Sequence, residues 1–567
     1  MAIFLIELYS KHPLSRIKKI LLLFVIACFL LSVWFVQRVI YNYPKNLQSS
    51  VNESNLVTLS PTHFTLNNSW LKLSKNGNWE CYIEGNGYER GKTLGILQRQ
   101  LGKQQEEVFI KEIDSKVPSW FLKKLLIVGI AWFNRDLDAY IPQEYREEIY
   151  GISEFFSNDF NTIGPKYNRI INYHAAHDIG HAVQNMHLVG CTAFGTWQFD
   201  STKQHMIMGR NFDFYFGDEF AKNKVVLLSN PTSGYKSVSV TWPSFIGVVS
   251  GINEKGLGIT LNSDKSEIPT KSGTPVSIIA RDILQYASTI EEAIEICNKY
   301  QSFVSESFTV SSAIDKTVVV IEKTPTSTGI YTPSADTIIV TNHFQSKNLK
   351  ELPLNVEHKK TSESVRRYNR TAELLANMDT LDYNNTAIIL RDIKGLNGKD
   401  IGLGNPLAIN QLLAHHAVIF DNVKKLIWVS SYPYQLNNMA AYSLSNFDNW
   451  KADEVKFPIT IDSLEIAPDP FFYSSEFNDF EEFKEISSKI LKATNEGIEI
   501  NESFISKFVS VNPNYYQTHL LLGNYYNAIG KAQKAIEYYK NALNKDIAYQ
   551  EDKSYIEAQI NKIKSDD

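Results

Sequence analysis

Between residues 225 and 431 the chain carries nine short β-rich runs, and they come in blocks rather than singly. They are VVLLS (225–229), SVSVTW (237–242), FIGVVSGI (245–252), GLGITLN (256–262), FTVSSAI (308–314), TVVVIE (317–322), TIIVTN (337–342), AVIF (417–420) and LIWVSS (426–431). Helical stretches interrupt them. One begins near Val276, and a second opens on Thr289-Ile290-Glu291-Glu292, a capping-box pattern ahead of an apolar repeat. A third fits Ser362 to Met378. A strictly alternating βα chain would build a parallel sheet. Strands in blocks with helices in pairs predict layered sheets covered by helices, an α+β fold. At 567 residues the chain also exceeds what one core can hold.

The N-terminus sets a second constraint. Ile20 to Val36 is a 17-residue run without a charge, just long enough to span a bilayer. Lys11, Arg16, Lys18 and Lys19 precede it and only Arg38 follows closely, so the positive-inside rule keeps the first residues cytoplasmic and sends the body across. No A-x-A-like site marks a cleaved signal peptide. Val25-Ile26-Ala27-Cys28 resembles a lipoprotein box, but the residues after it stay apolar. The expectation is a single-pass anchor (1–40) with the body on the extracytoplasmic side.

Residues 41–78, rich in Asn, Ser and Thr, read as a tether. Residues 79–190 read as a helical leading segment. Its stretch SWFLKKLLIVGIAWF (119–133) is either a core helix or one that contacts lipid. Residues 191–460 hold the strands. Residues 461–567 are a helical tail in which Leu522-Gly523, Tyr526, Ala528, Gly530, Ala535, Tyr539 and Ala542 follow tetratricopeptide spacing, for one repeat only. The tail is either a docked hairpin or a surface for a protein partner. The net charge of −5 and the lack of a long Lys/Arg run argue against a nucleic-acid partner.

Only four cysteines are present: Cys28, Cys81, Cys191 and Cys297. They form no CxxC pair and no zinc-finger spacing. Cys81 and Cys297 are a candidate pair outside the cytoplasm. Cys191, in HLVGCTAFGTW, is followed by GRNFD (209–213), INEKGLGITLN (252–262), TNHF (341–344) and SVRRY (364–368). Each polar group stands at a strand end or helix start, where a rigid scaffold can present it.

This set resembles the N-terminal nucleophile (Ntn) hydrolases of the choloylglycine hydrolase, acid ceramidase and penicillin acyltransferase group, and most closely the autoproteolytic C45 branch. The resemblance runs from about Cys81 to Tyr442 and includes EGNGYERG before the nucleophile. It implies a four-layer αββα sandwich and self-cleavage at Gly190-Cys191. Glycine at 190 would supply backbone freedom and room for attack. The freed α-amine of Cys191 would be the base for its own thiol. The two groups have ordinary pKa values of about 7.7–8.0 and 8.5, close enough to exchange a proton near neutrality.

The resemblance also implies roles. Cys191 is the nucleophile, Asp213 holds the α-ammonium, and Arg210 favours the thiolate. Asn262 and Asn342 bind or polarise the substrate carbonyl. Arg367 matches the family's later arginine, with Arg366 and Arg370 as close neighbours. His343 is a candidate pocket residue. The implied reaction is hydrolysis or transfer of an acyl group held in a non-peptide amide, through a Cys191 thioester. The substrate would be a small N-acylated molecule, and the membrane segment favours a lipid-like acyl chain. The competing readings are an inactive scaffold that recruits partners through its tail, and a peptidase. No cofactor is implied. His174, His177 and His181 share one helical face and could bind zinc, serve the nearby site or be structural. His415 and His416 read as structural.

Overall fold

The computed structural model describes residues 16–117, 119–176, 178, 189–201, 203–265 and 271–566. Helix α1 (Arg16–Val39) contains Ile20–Val39, long and apolar enough to cross a membrane, and none of that span is buried. Its end is fixed to the body. Arg38 pairs with Asp136 at 2.5 Å, and the Tyr41 hydroxyl donates to the Asn134 carbonyl at 2.9 Å.

The leading segment folds as α2 (Gly87–Leu97), α3 (Arg99–Lys116), α4 (Trp120–Phe133), α5 (Gln143–Glu154) and α6 (Lys166–His174). Gly91 is required by close approach: a Cβ there would lie 2.0 Å from the Glu148 carbonyl oxygen of α5. Arg90 seals the same contact with Glu148 at 2.6 Å and Glu144 at 2.8 Å. Helix α4 differs from the rest, because none of its residues is buried.

Two sheets form the centre. The larger runs in the order β1 (Leu56–Ser60), β2 (His63–Leu66), β3 (Ser69–Leu73), β4 (Trp79–Gly85), β7 (Val225–Pro231), β8 (Ser237–Thr241), β9 (Ser250–Asn253), β10 (Leu257–Ser263), β11 (Glu306–Ser312), β12 (Thr317–Lys323) and β13 (Thr328–Tyr331). The smaller runs β14 (Thr337–Val340), β5 (Val189–Phe199), β6 (Gln204–Phe214), β15 (His416–Asp421), β16 (Leu426–Ser430) and β17 (Met439–Ser443). All pairings are antiparallel except β4 with β7.

Residues 41–78 are therefore more than a tether. They supply β1–β3, and β4 joins this leading meander to the main sheet. Leu56 and Leu59, Phe64 and Leu66, Trp70, Leu71 and Leu73 carry the strand signal inside a polar composition that hides it.

An apolar core between the sheets joins Val226, Val240 and Val320 of the larger to Ala193, Val418 and Val429 of the smaller. Helices α7 (Val276–Tyr286) and α8 (Ile290–Lys299) pack on the larger sheet through Ile279, Ile283 and Ile296. The Thr289–Glu292 capping box forms as expected. Helices α9 (Ser364–Ala376) and α10 (Tyr383–Leu390) cover the smaller sheet through Tyr368, Ala387 and Leu390.

The tail includes α11 (Ser475–Glu496), the hairpin α12 (Tyr516–Ala528) and α13 (Ala532–Leu543), and α14 (Gln550–Asp566). Phe480, Phe508 and Tyr516 share one core with Ile401, Leu407 and Leu412, so the tail is docked on the strand-bearing body. Cys81 and Cys297 are buried in different cores and both are free, so the candidate disulfide is absent.

Candidate active site

The site is built where β5 and β6 pair. In their register Gly190 faces Asp213, Cys191 faces Phe212 and Ala193 faces Arg210. Two-residue alternation puts Cys191 and Arg210 on one face of the strand pair, while Asp213, across from Gly190, starts from the other face and is still close enough for its charge to act on the thiol. Cys191 is buried.

Arg210 Nη2 donates to Cys191 Sγ at 3.4 Å and to the Leu261 carbonyl, while Nη1 donates to Ser250 Oγ at 2.9 Å. The Cys191 N–H donates to Asn342 Oδ1 at 3.1 Å. Arg367 is the hub on the opposite side. Its Nη1 reaches the Cys191 carbonyl at 2.5 Å and Thr192 Oγ1 at 2.9 Å, and its Nη2 reaches Asn342 Oδ1 at 2.6 Å and Glu363 at 2.9 Å. Arg366 is exposed and faces Asp546, and Arg370 pairs with Asp392 and Glu373. Of the three neighbouring arginines, Arg367 is the one at the site.

Electrostatics follow from burial. Burial pushes the Cys191 thiol up to about 11 against the pull of Arg210, with Arg367 adding to that pull. Burial also raises the Asp213 carboxyl to about 7, with Arg367 and Arg210 opposing. Glu306, at the edge of β11, is raised well above the usual carboxylate range by burial and by Asp178 and Asp264. Burial acts on Glu363 in the same sense, but Arg367 and His358, together with hydrogen bonds, outweigh it and hold that carboxyl below its usual value.

The two asparagines face the scaffold. Asn262 Nδ2 donates to the carbonyls of Val340 (3.1 Å) and Thr341 (3.0 Å), and Asn342 Nδ2 donates to the Ser263 carbonyl (2.7 Å). His343 lies on the same scaffold. Its Nδ1 is 2.8 Å from Ser364 Oγ, which also accepts from the Asn342 N–H at 2.9 Å. Burial lowers His343 to about 3, so the ring is neutral.

Gly190 sits in an extended strand and outside the left-handed region. Its small size is needed for a different reason from the one expected. A Cβ at 190 would stand 2.7 Å from Gln411 Nε2, and that amide donates to Asp213 Oδ2 at 3.2 Å. Gln411, Ser250, Ser263, Ser364 and Glu363 are site residues that motif reading does not find. Each is far in sequence from Cys191; Ser364 opens the SVRRY stretch but gains a role only from its contacts with Asn342 and His343, and the other four carry no signature.

Of the histidine face, His177 and His181 lie outside the described residues. His174 is structural: Nδ1 is 2.8 Å from the Ile170 carbonyl, Nε2 accepts the Ile246 N–H at 3.0 Å, and burial lowers it to about 4. Among the described residues no group of His, Cys, Asp or Glu is arranged to hold a metal.

Against known proteins, the likeness to a family model starts just beyond Cys191. Residues 200–399 match the family model described as acyl-coenzyme A:6-aminopenicillanic acid acyl-transferase. The stretches GRNFD and NEKGLG both fall inside the matched residues, which are similar to that acyl-transferase family. The N-acylethanolamine-hydrolyzing acid amidase of Caenorhabditis elegans is 26% identical over 210 residues, 35% of this chain and 55% of that protein. An Archaeoglobus fulgidus protein is 25% identical over 237 residues, 39% of each chain. The chain thus spans about half the length, or less, of the curated relatives it matches. Among solved structures, a C. elegans ortholog of that amidase aligns at 17% identity over 41% of this chain and 93% of its own, with a TM-score of 0.30. The C2A mutant of conjugated bile acid hydrolase from Clostridium perfringens aligns at 16% identity over 48% and 96%, with a TM-score of 0.31.

Proposed function

We propose that the protein is a membrane-anchored, self-cleaving amidase or acyltransferase that takes an acyl group from a non-peptide N-acyl amide onto Cys191. The observation that carries this reading is the bracketing of one buried thiol. Arg210 touches its sulfur, Asn342 and Arg367 hold its main chain, and Asp213 pairs across from Gly190.

In the intact chain the thiol is held protonated by burial. Cleavage of Gly190-Cys191 creates an α-amine at the nitrogen that Asn342 Oδ1 now accepts from, one residue from the carboxyl of Asp213. That amine takes the thiol proton, and the thiolate attacks the substrate carbonyl. The C–N bond breaks, the α-ammonium returns the proton to the leaving amine, and a thioester remains. Water or a second amine then takes the acyl group. Asn262 and Asn342 are assigned to the substrate carbonyl under one condition. Their amide nitrogens now donate to main-chain carbonyls, so at least one of those bonds must be released when substrate binds. Each donor placed on the developing oxyanion is worth about 2.7–4 kcal/mol.

Two features favour a lipid-like acyl chain. A crevice lined by Phe109, Phe156, Phe214, Phe220, Trp242 and Phe245 adjoins the apolar cluster that includes Cys191. The exposed apolar helix α4 also touches the membrane segment, where Trp132 lies 5.9 Å from Trp34 and 6.3 Å from Phe35 between ring centroids. We therefore place α4 in the membrane interface beside α1. The test is release of free acid from a series of N-acyl amides of increasing chain length. Turnover that rises with chain length and vanishes in Cys191→Ala supports the reading. Turnover that survives in Cys191→Ala, or appears only with peptides, overturns it.

A further inference from the structure

A polar chain runs away from Cys191 through the core between the sheets, and the reaction as written does not use it. Arg210 Nη1 donates to Ser250 Oγ at 2.9 Å, Ser250 Oγ lies 2.9 Å from His416 Nε2, and His416 Nδ1 lies 2.9 Å from His415 Nδ1. All four side chains are buried. Ser250 begins β9 of the larger sheet, and Arg210 and His416 sit on β6 and β15 of the smaller. The chain therefore ties the two sheets together at the nucleophile.

Donor counting orders the protons. Arginine can only donate, so Ser250 Oγ accepts from Arg210 and its hydroxyl hydrogen is free to go to His416 Nε2. His416 then carries its proton on Nδ1 and gives it to His415 Nδ1, and His415 carries its own on Nε2. The reverse order would leave the Ser250 hydroxyl without an acceptor, and in either order His415 Nε2 is buried without a hydrogen-bond partner among the described residues. This arrangement requires both rings to be neutral. Burial lowers both, helped by Lys224 and Arg210 at His415, and by His415 and Arg210 at His416. Lys224, at the edge of β7, is itself pushed down to about 7 by burial.

The chain ends on the one guanidinium that touches the sulfur. Arg210 Nη2 is shared between Sγ and the Leu261 carbonyl, and the Phe212 ring lies 4.2 Å from the guanidinium carbon. Phe212 is in turn flanked by His416 and His415, with ring centroids 5.3 and 6.2 Å away. The bond from Nη1 to Ser250 is what fixes the rotation of the guanidinium plane about Nη2.

We propose that Ser250 and the His416–His415 pair are positioning residues that hold the Arg210 guanidinium against the Cys191 sulfur. This rests on the reading of Cys191 as the nucleophile. The charged groups that act on the thiol are Arg210, Asp213, Glu306 and Arg367, and only Arg210 is reached through Ser250. An opposite charge at 4–6 Å typically moves a titration by about 1–3 units, so partial loss of this contact is expected to cost about 1 unit.

The test is the pH profile of alkylation at Cys191 in the purified full-length protein in detergent. Iodoacetamide is the reagent, and the readout is the mass of the Cys191 peptide. Wild type divided at Gly190-Cys191 is expected to have a midpoint at or below the ordinary thiol value of about 8.5, below the value of about 11 to which burial pushes the thiol of the undivided chain. Ser250→Ala and His416→Ala are expected to raise it by about 1 unit, roughly tenfold less thiolate at a given pH below the midpoint. His416→Gln, which keeps an acceptor for the Ser250 hydroxyl, is expected to restore most of the shift. Ser250→Ala deletes a single oxygen and carries the test alone if His416→Ala does not fold. A low wild-type midpoint left unmoved in folded Ser250→Ala overturns the positioning role. A midpoint well above 8.5 in the divided wild type overturns the nucleophile reading instead.

Discussion

The side-chain amide of Gln411 occupies the space that a Cβ on residue 190 would need, and the same amide donates to Asp213. Residue 190, the proposed cleavage position, and the carboxyl paired across from it therefore meet the same group. Gly190→Ala is expected to push Gln411 off Asp213 and to slow formation of the fragment that begins at Cys191 by at least several-fold. Gln411→Ala in the same background makes room and is expected to recover part of the rate. A time course of fragment mass reads both, and an unchanged rate in Gly190→Ala counts against the steric account.

Asp213 links the site to pH. Its carboxyl titrates near 3.9 in an unfolded chain and near 7 when folded. Between those values the folded state binds more protons, so stability falls as pH rises through the window and levels off above it. Asp213→Asn removes that dependence. The variant is expected to be more stable than wild type at pH 8, on the order of 1–3 kcal/mol, and the gap is expected to close near pH 4. Thermal midpoints of the two proteins at pH 4, 6 and 8 would show it, and a gap that does not widen with pH rejects the assignment. Activity is expected to be lost in the same variant, a cost common where a functional group is held in a strained setting.

Arg367 and its neighbour Arg366 make a matched pair of tests. Removing Arg367 leaves Glu363 buried without its partner, so Arg367→Met is expected to destabilise by about 3–5 kcal/mol. Adding Glu363→Gln is expected to return part of that loss. Arg366→Met, at an exposed 4.0 Å contact, is expected to change stability by less than about 0.5 kcal/mol. Equal losses at 366 and 367 in unfolding measurements would reject the assignment of Arg367 as the hub.

Helix α4 exposes Trp120, Phe121, Leu125 and Val128, and its Trp132 packs against Trp34 and Phe35 of α1, so under the proposal it meets the membrane. A chain shortened to begin at residue 41 is expected to retain binding to phospholipid vesicles. Phe121→Asp with Leu125→Asp in the shortened chain is expected to abolish it. Vesicle co-sedimentation measures both. Loss of all binding on truncation alone would show that α4 has no membrane role.

What could be read in the sequence was local. The strands from Val225 to Ser431 show apolar, β-branched runs bounded by turns, and Thr289–Glu292 shows its cap in four residues. Cys191, Arg210 and Asp213 lie on adjoining strands, so their spacing survives as a motif. The rest depends on long-range pairing. Gln411 meets Asp213 across 198 residues, and His416 meets Ser250 across 166. Neither pairing leaves a pattern in one chain. Residues 56–73 were hidden differently, because strands with one solvent face are rich in Asn, Ser and Thr and resemble a linker. The backbone freedom expected of glycine at 190 is not used, since the residue is extended; what lies against it is the Gln411 amide, which no local pattern shows.

The account stands or falls on the bond between Gly190 and Cys191. Intact-mass measurement of the full-length protein, beside Cys191→Ala, tests it most directly. The account expects wild type to divide into a leading chain ending at Gly190 and a second chain whose first residue is Cys191, with Cys191→Ala remaining whole. A wild-type chain that stays whole while releasing acid from N-acyl amides would contradict it, as would the same division in Cys191→Ala.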